Sequence, residues 1–214
     1  MDEAAVKRGH AFEALDDQPL SRRQLYAIVL VALGEFIDGY DLIVMGAALI
    51  LLRPQFHLTP SQIGLLGGAS FIGAAIGMVV FGDLSDRLGR RAIFVANLLF
   101  FVVFSIASAF VTSLPQLFVA RFLVGIGVGM DVPTSMAYVS EISPRRRRGV
   151  LSGMVVNLTW VIGAMFSSLI ALPLIQWTGA DAWRWMFGLA AVPAALVLIG
   201  RQVLPESPRW LTSP

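Results

Sequence analysis

Apolar residues in this chain run in six long stretches separated by short polar breaks. The stretches cover about residues 25–52, 61–82, 92–111, 114–140, 150–174 and 183–204. A helix of about 20 residues crosses a hydrocarbon core of about 30 Å. The pattern predicts an all-α membrane protein with six transmembrane helices. It divides the chain into an N-terminal tail (1–24), a transmembrane domain (25–204) and a C-terminal segment (205–214). The first apolar run is too long for a cleaved signal peptide and is expected to remain as the first span.

Polar residues at the breaks read as helix starts. Thr59-Pro60-Ser61-Gln62 has the N-cap, first-turn proline and glutamine of a capping box, with Leu58 and Ile63 placed to staple it. Ser21-Arg22-Arg23-Gln24 and Ser113-Leu114-Pro115-Gln116 repeat the pattern.

Composition agrees with lipid as the solvent. Hydrophobic residues make up 57% of the 214 and charged residues only 14%, where a soluble domain carries about 25% charge. With no cysteine, disulfides, thiolate metal ligands and thiol catalysis are excluded. His10 and His57 lie far apart and make a poor metal pair. No nucleotide loop, nucleophile–base pair or metal-ligand spacing is present, so neither an enzyme nor a cofactor is expected. Nor is there a nucleic-acid signature.

The basic residues cluster at span ends. Thirteen lie on one side of the six-span layout and two, Arg53 and Arg184, on the other, with Arg121 inside a span. Positive charge marks the cytoplasmic side. Both termini are therefore expected in the cytoplasm, with the protein multi-pass in the plasma (inner) membrane.

The candidate chemistry lies inside the spans. Glu35, Asp38 and Asp41 follow one another at three-residue steps along the first, so each neighbours the next on a helix. An ionised acid in hydrocarbon is expensive, so the three should face the bundle interior or a wet cavity. There they can bind and release protons, or be locked in structural pairs. Arg121 lies about 10 Å below the outer end of the fourth span, and Asp41 about 16 Å below that of the first. An unpaired buried arginine is costly. A pair with Asp41 or Asp38 is the natural arrangement. Asp131, two residues before Pro133, is a second candidate, or a residue near the cytoplasmic headgroups.

Asn157 and Trp160 in span five could line a substrate cavity or simply pack. Gly64, Gly67, Gly68, Gly73 and Gly77 thin span two, and Gly125, Gly127 and Gly129 thin span four. Small residues let helices approach closely. Gly34-x-x-x-Asp38 and Gly127-x-x-x-Asp131 repeat, as do Gly64/Gly68 and Gly149/Gly153, which suggests a 3+3 inverted repeat.

Gly82-Asp83-Leu84-Ser85-Asp86-Arg87-Leu88-Gly89-Arg90-Arg91 falls in the second break. It resembles the G-x-L-x-D-R-x-G-R-R signature of the major facilitator superfamily. Arg121-x-x-x-Gly125-x-Gly127-x-Gly129, Tyr138-x-x-Glu141-x-x-Pro144-x-x-x-Arg148-Gly149 and Pro205-Glu206-Ser207-Pro208-Arg209-Trp210-Leu211 resemble the sugar-porter branch and its organic-ion relatives. Asp38-Gly39-Tyr40-Asp41 is similar to the D-G-x-D of aromatic-acid and metabolite–proton symporters.

This resemblance implies half of a major facilitator fold and proton-coupled transport of a small sugar or an organic or aromatic acid. It implies Asp41 as proton site with Arg121 as its partner. It also implies a cytoplasmic gate of Gly82, Asp86, Arg87, Gly89, Arg90, Arg91, Glu141, Arg148, Glu206 and Arg209. Asp38 joins the proton-coupling candidates, and Glu35 and Asp131 join Asn157 and Trp160 as candidate cavity residues.

The chain carries six of the family's twelve spans. A homodimer, or assembly with a separate second half, is therefore expected, in a lipid bilayer with protons and a small molecule as partners. The competing expectation is a truncated or non-transporting protein of the same fold, acting as a regulator or assembly partner.

Overall fold

The computed structural model describes residues 20–144 and 147–204. Among them are six long helices: α1 (Arg22–Gln55), α2 (Pro60–Leu88), α3 (Arg90–Phe110), α4 (Leu114–Ile142), α5 (Val156–Thr178) and α6 (Ala182–Arg201). A π-helical turn, Val150–Val155, leads directly into α5, and a 3-10 turn, Gly179–Asp181, joins α5 to α6.

Local chemistry sets the starts. Ser21 and Gln24 close a capping box on α1, and Thr59 and Gln62 close one on α2 ahead of Pro60. The third expected box does not form. Ser113 makes no side-chain cap. Instead Gln116 Oε1 accepts from the Thr112 backbone N–H at 3.1 Å and from its hydroxyl at 3.2 Å. The second break also differs from expectation. α2 runs on through Leu88, and only Gly89, at φ 95°, separates it from α3. A glycine holds that left-handed conformation without Cβ strain.

Pro60–Leu88, Arg90–Phe110, Leu114–Ile142 and the helical stretch Val150–Arg201 are long and apolar enough to cross a membrane. The last of these holds both α5 and α6. α1 carries three acids, and the bundle buries all three. α1 packs against α5 and α6 and touches α4, so its acids need not meet lipid. Trp183 Nε1, at the start of α6, donates to Gln55 Oε1, at the end of α1, at 2.6 Å. Arg201, at the other end of α6, lies against the Leu30 and Val31 carbonyls near the start of α1. The two helices are therefore antiparallel.

The pattern of neighbours is that of a 3+3 repeat. α2 packs on α4 as α5 packs on α1, α3 packs on α4 as α6 packs on α1, and α3 packs on α6. Exchanging the first three helices with the last three leaves this pattern unchanged. Glycines make the two closest seams. A Cβ on Gly73 would fall on the Phe122 carbonyl, and one on Gly125 on the Ser70 carbonyl. Across the other seam, a Cβ on Gly163 would fall on the Phe36 carbonyl, and one on Gly39 on that of Trp160. By contrast Gly64, Gly149 and Gly153 face open space, and Gly68 meets only the tip of Ile72. The small-residue pairs that hinted at a repeat in the sequence are thus not the packing pairs.

The apolar interior has two clusters. One includes Leu52, Leu117, Trp183 and Phe187. The other includes Ile28, Phe94, Tyr138 and Val139, nearer the start of α1.

Candidate functional site

Among the described residues two arginines are completely buried, and each holds one aspartate. Arg121 on α4 reaches Asp41 on α1 through Nη1 to Oδ1 at 2.8 Å and Nη2 to Oδ2 at 2.5 Å. Nη2 also donates to the Asp41 carbonyl at 3.2 Å. Both side chains have 0% exposure. The guanidinium lies 4.6 Å from the centre of the Phe187 ring. The Tyr40 hydroxyl donates to the Met186 carbonyl at 2.9 Å and so ties the neighbouring turn of α1 to α6. Forked charge-assisted bonds of this kind are strong and fix orientation. Of the two partners open to Arg121 in the sequence, the fold brings it Asp41.

The second arginine is Arg201. Its Nη1 and Nη2 donate to Asp131 Oδ1 and Oδ2 at 2.9 and 3.0 Å. Its guanidinium lies 4.5 Å from the centre of the Phe94 ring. The Ser135 hydroxyl donates to Asp131 Oδ1 at 3.0 Å. Sequence reasoning placed Arg201 among the topology-setting charges, but it points inward with 0% exposure. Asp131 is likewise fully buried. The missed signal was charge balance, since four acids inside spans call for more than one cation.

Glu35 and Asp38 are each 3% exposed. Neither makes an ion pair with Arg121 or Arg201, and Glu35 Oε1 and Asp38 Oδ2 have no hydrogen-bond partner. Asn157 is exposed on its helix, where its amide donates to the Gly153 carbonyl. Trp160 is half-buried, with its backbone carbonyl against Gly39.

A third cluster joins α2, α3 and α4 at one end of the bundle. Arg90 donates to Asp86 at 2.6 Å, to Glu141 at 3.1 Å and to the Ser85 hydroxyl at 2.9 Å. Arg91 donates to the Gln202 carbonyl at 2.5 Å. Arg87 pairs with Asp83 at 2.8 Å in an exposed i,i+4 contact. Gly82 is half-buried one turn before Asp86, and Arg148 is half-buried just before the π-helical turn. Glu206 and Arg209 lie outside the described residues.

Residues 27–214 match the family described as sugar (and other) transporter. The chain belongs to that family. It is 38% identical over 197 residues to the inner membrane metabolite transport protein YgcS of Escherichia coli K12, covering 92% of this chain and 44% of YgcS. It is 32% identical over 203 residues to the arabinose-proton symporter of Bacillus subtilis 168, covering 90% of this chain and 44% of that protein. The xylose transporter XylE from E. coli, in a partially occluded inward-open conformation, superposes with a TM-score of 0.82 at 26% identity. That superposition covers 89% of this chain and 50% of XylE. The chain spans less than half the length of these curated relatives, and its six helices correspond to the N-terminal half of the major facilitator fold. These relatives are transporters and not enzymes.

Proposed function

We propose that this family member is half of a secondary transporter that couples proton movement to movement of a small sugar or organic acid metabolite. The observation that carries the reading is the buried fork between Arg121 and Asp41. The pair lies between α1 and α4, with no exposure and no other acid on the arginine. Protonation of Asp41 would remove one side of the ion pair and loosen a contact between two central helices. Deprotonation would restore it. A binding event of one proton is thereby linked to helix packing. That relatives are an arabinose-proton symporter and a proton:xylose symporter supports this reading.

The cytoplasmic gate in this reading is the Arg90 cluster, which ties α3 to partners on α2 and α4. Substrate would meet the unit on a face completed by a second copy of the chain or by a separate second half. Both termini would face the cytoplasm across the inner membrane, as the basic residues indicate.

The test is proton-gradient-driven uptake of xylose, arabinose and glucose into liposomes that hold the full chain. Accumulation in wild type and its loss in Asp41→Asn are expected. Wild-type accumulation that Asp41→Asn retains would overturn the assignment of Asp41.

A further inference from the structure

The Arg121–Asp41 fork accounts for one of the four buried acids. The other three gather around Arg201. Asp131 takes both of the arginine's Nη atoms. Glu35 and Asp38 lie within electrostatic reach of Asp131 and Arg201, and of each other. Gly34 marks the contact with α1: a Cβ there would strike Arg201 and Asp131, so the pair sits against the backbone one residue before Glu35.

The charge does not balance. Three carboxylates and one guanidinium carry two net negative charges if all are ionised. Every member is at most 3% exposed, so water cannot offset them. No further cation is near. Arg121 is committed to Asp41, and α5, which packs on α1, has no charged residue. From α4 come Asp131 and Ser135, and from α6 only Arg201.

Hydrogen bonding points the same way. Glu35 Oε1 and Asp38 Oδ2 receive no donor, and a carboxylate can only accept. The nearby Ser135 hydroxyl donates to Asp131 Oδ1.

We propose that Glu35, Asp38, Asp131 and Arg201 form a second proton-holding site, in which Glu35 and Asp38 each carry an exchangeable proton while Arg201 stays forked to Asp131. The site lies toward the N-terminal end of α1 from Asp41. Glu35, Asp38 and Asp41 step along α1 with about 4.5 Å of rise between each. Asp38 is the rung of the second site next to Asp41, so the three acids form a proton ladder from Glu35 to the Arg121 pair. The use of this ladder in transport rests on the function proposed above; the presence of the protons does not.

The experiment therefore reads protonation without transport. Infrared spectra of the full chain in lipid nanodiscs, recorded across pH in light and heavy water, report the C=O band of protonated carboxyl groups. Wild type should show such a band at neutral pH. Asp41→Asn should keep it. Glu35→Gln/Asp38→Asn, whose neutral amides match the protonated acids and should leave the fold intact, should lose it. A wild type without the band, a band that survives the double substitution, or a band lost in Asp41→Asn alone would each overturn the proposal. Helicity of each variant by circular dichroism separates loss of the site from loss of the fold. If the band behaves as stated while no sugar is accumulated, the transport reading fails and the proton site stands.

Discussion

Arg121 grips both carboxylate oxygens of Asp41 although the two residues lie 80 positions apart in the chain. The fork couples α4 to α1, one helix from each half of the 3+3 repeat, at a point with no access to water. Its energetics are asymmetric. Forming such a pair adds little stability, but breaking it leaves a buried charge uncompensated at a cost of about 3–5 kcal/mol. Arg121→Ala should therefore lower the thermal midpoint in detergent sharply. Asp41→Asn combined with Arg121→Met removes both charges and should recover most of the midpoint, without proton-driven uptake. Equal midpoints for Arg121→Ala and wild type would mean that water reaches the pair.

The glycine seams give a second contrast. Gly73→Ala drives a methyl onto the Phe122 carbonyl, a backbone atom with little room to move. Overpacking of this kind costs about 1–3 kcal/mol. Gly64→Ala, on the same helix, meets nothing within 4 Å. It should be neutral or slightly stabilising, since alanine favours helix. Thermal unfolding of the two variants side by side checks this. A larger loss for Gly64→Ala would contradict the α2–α4 packing.

The helices were legible because a span needs length and apolarity, and both are written locally. Their ends were less so. Polar residues 83–88 read as a loop, yet the backbone satisfies its hydrogen bonds by remaining helical until Gly89 allows a turn. The need of Arg121 for an acid was legible, but the choice between Asp38 and Asp41 depends on helix rotation, which no spacing states. Arg201 was misread because an arginine at the end of an apolar run has two destinations, the headgroups or the interior. Only the packing of α6 on α1, which carries the Arg201 side chain to Asp131, decides between them. Likewise, the glycines that face open space and those that seat a neighbouring carbonyl are alike in sequence.

At the Arg90 cluster, exposure separates two arginines three residues apart. The Arg90 side chain is 11% exposed and bonds Ser85, Asp86 and Glu141. Hydrogen bonds to charged groups contribute about 1.5–3 kcal/mol each when buried, and Glu141 would lose its bond from Arg90. Arg90→Ala should be clearly destabilising. The Arg87–Asp83 pair is 73% and 68% exposed, where ion pairs contribute about 0–1 kcal/mol. Arg87→Ala should leave the midpoint within error of wild type. Urea or thermal unfolding of both variants at low and high salt tests the contrast, and a salt-sensitive loss in Arg87→Ala would reverse it.

With the buried Arg201 set aside, the basic residues still divide twelve to two, which predicts both termini on the cytoplasmic side. Tags placed at residue 5 and at the C-terminus should both react with membrane-impermeant reagents only after the cytoplasmic face is opened. Labelling of either tag from the outside in intact cells would rule out six spans with both ends inside.

The Arg201–Asp131 pair should respond unequally to loss of its two members. Arg201→Leu removes the only cation among four buried groups and leaves Asp131, Glu35 and Asp38 together. At least one of them must then take up a further proton or stay uncompensated, and the loss should approach the about 3–5 kcal/mol expected for a broken buried pair. Asp131→Asn does the opposite. The arginine keeps contact with the Phe94 ring and the Leu30 and Val31 carbonyls. Glu35 and Asp38 remain close enough to supply a counter-charge when one of them gives up its proton. Asp131→Asn should therefore cost less than Arg201→Leu, and its stability should depend on pH as the remaining acids titrate. Thermal midpoints of both variants, measured from acidic to mildly alkaline pH in the same detergent, decide the matter. Midpoints that fall equally at every pH would show that Arg201 serves Asp131 alone and that Glu35 and Asp38 take no part.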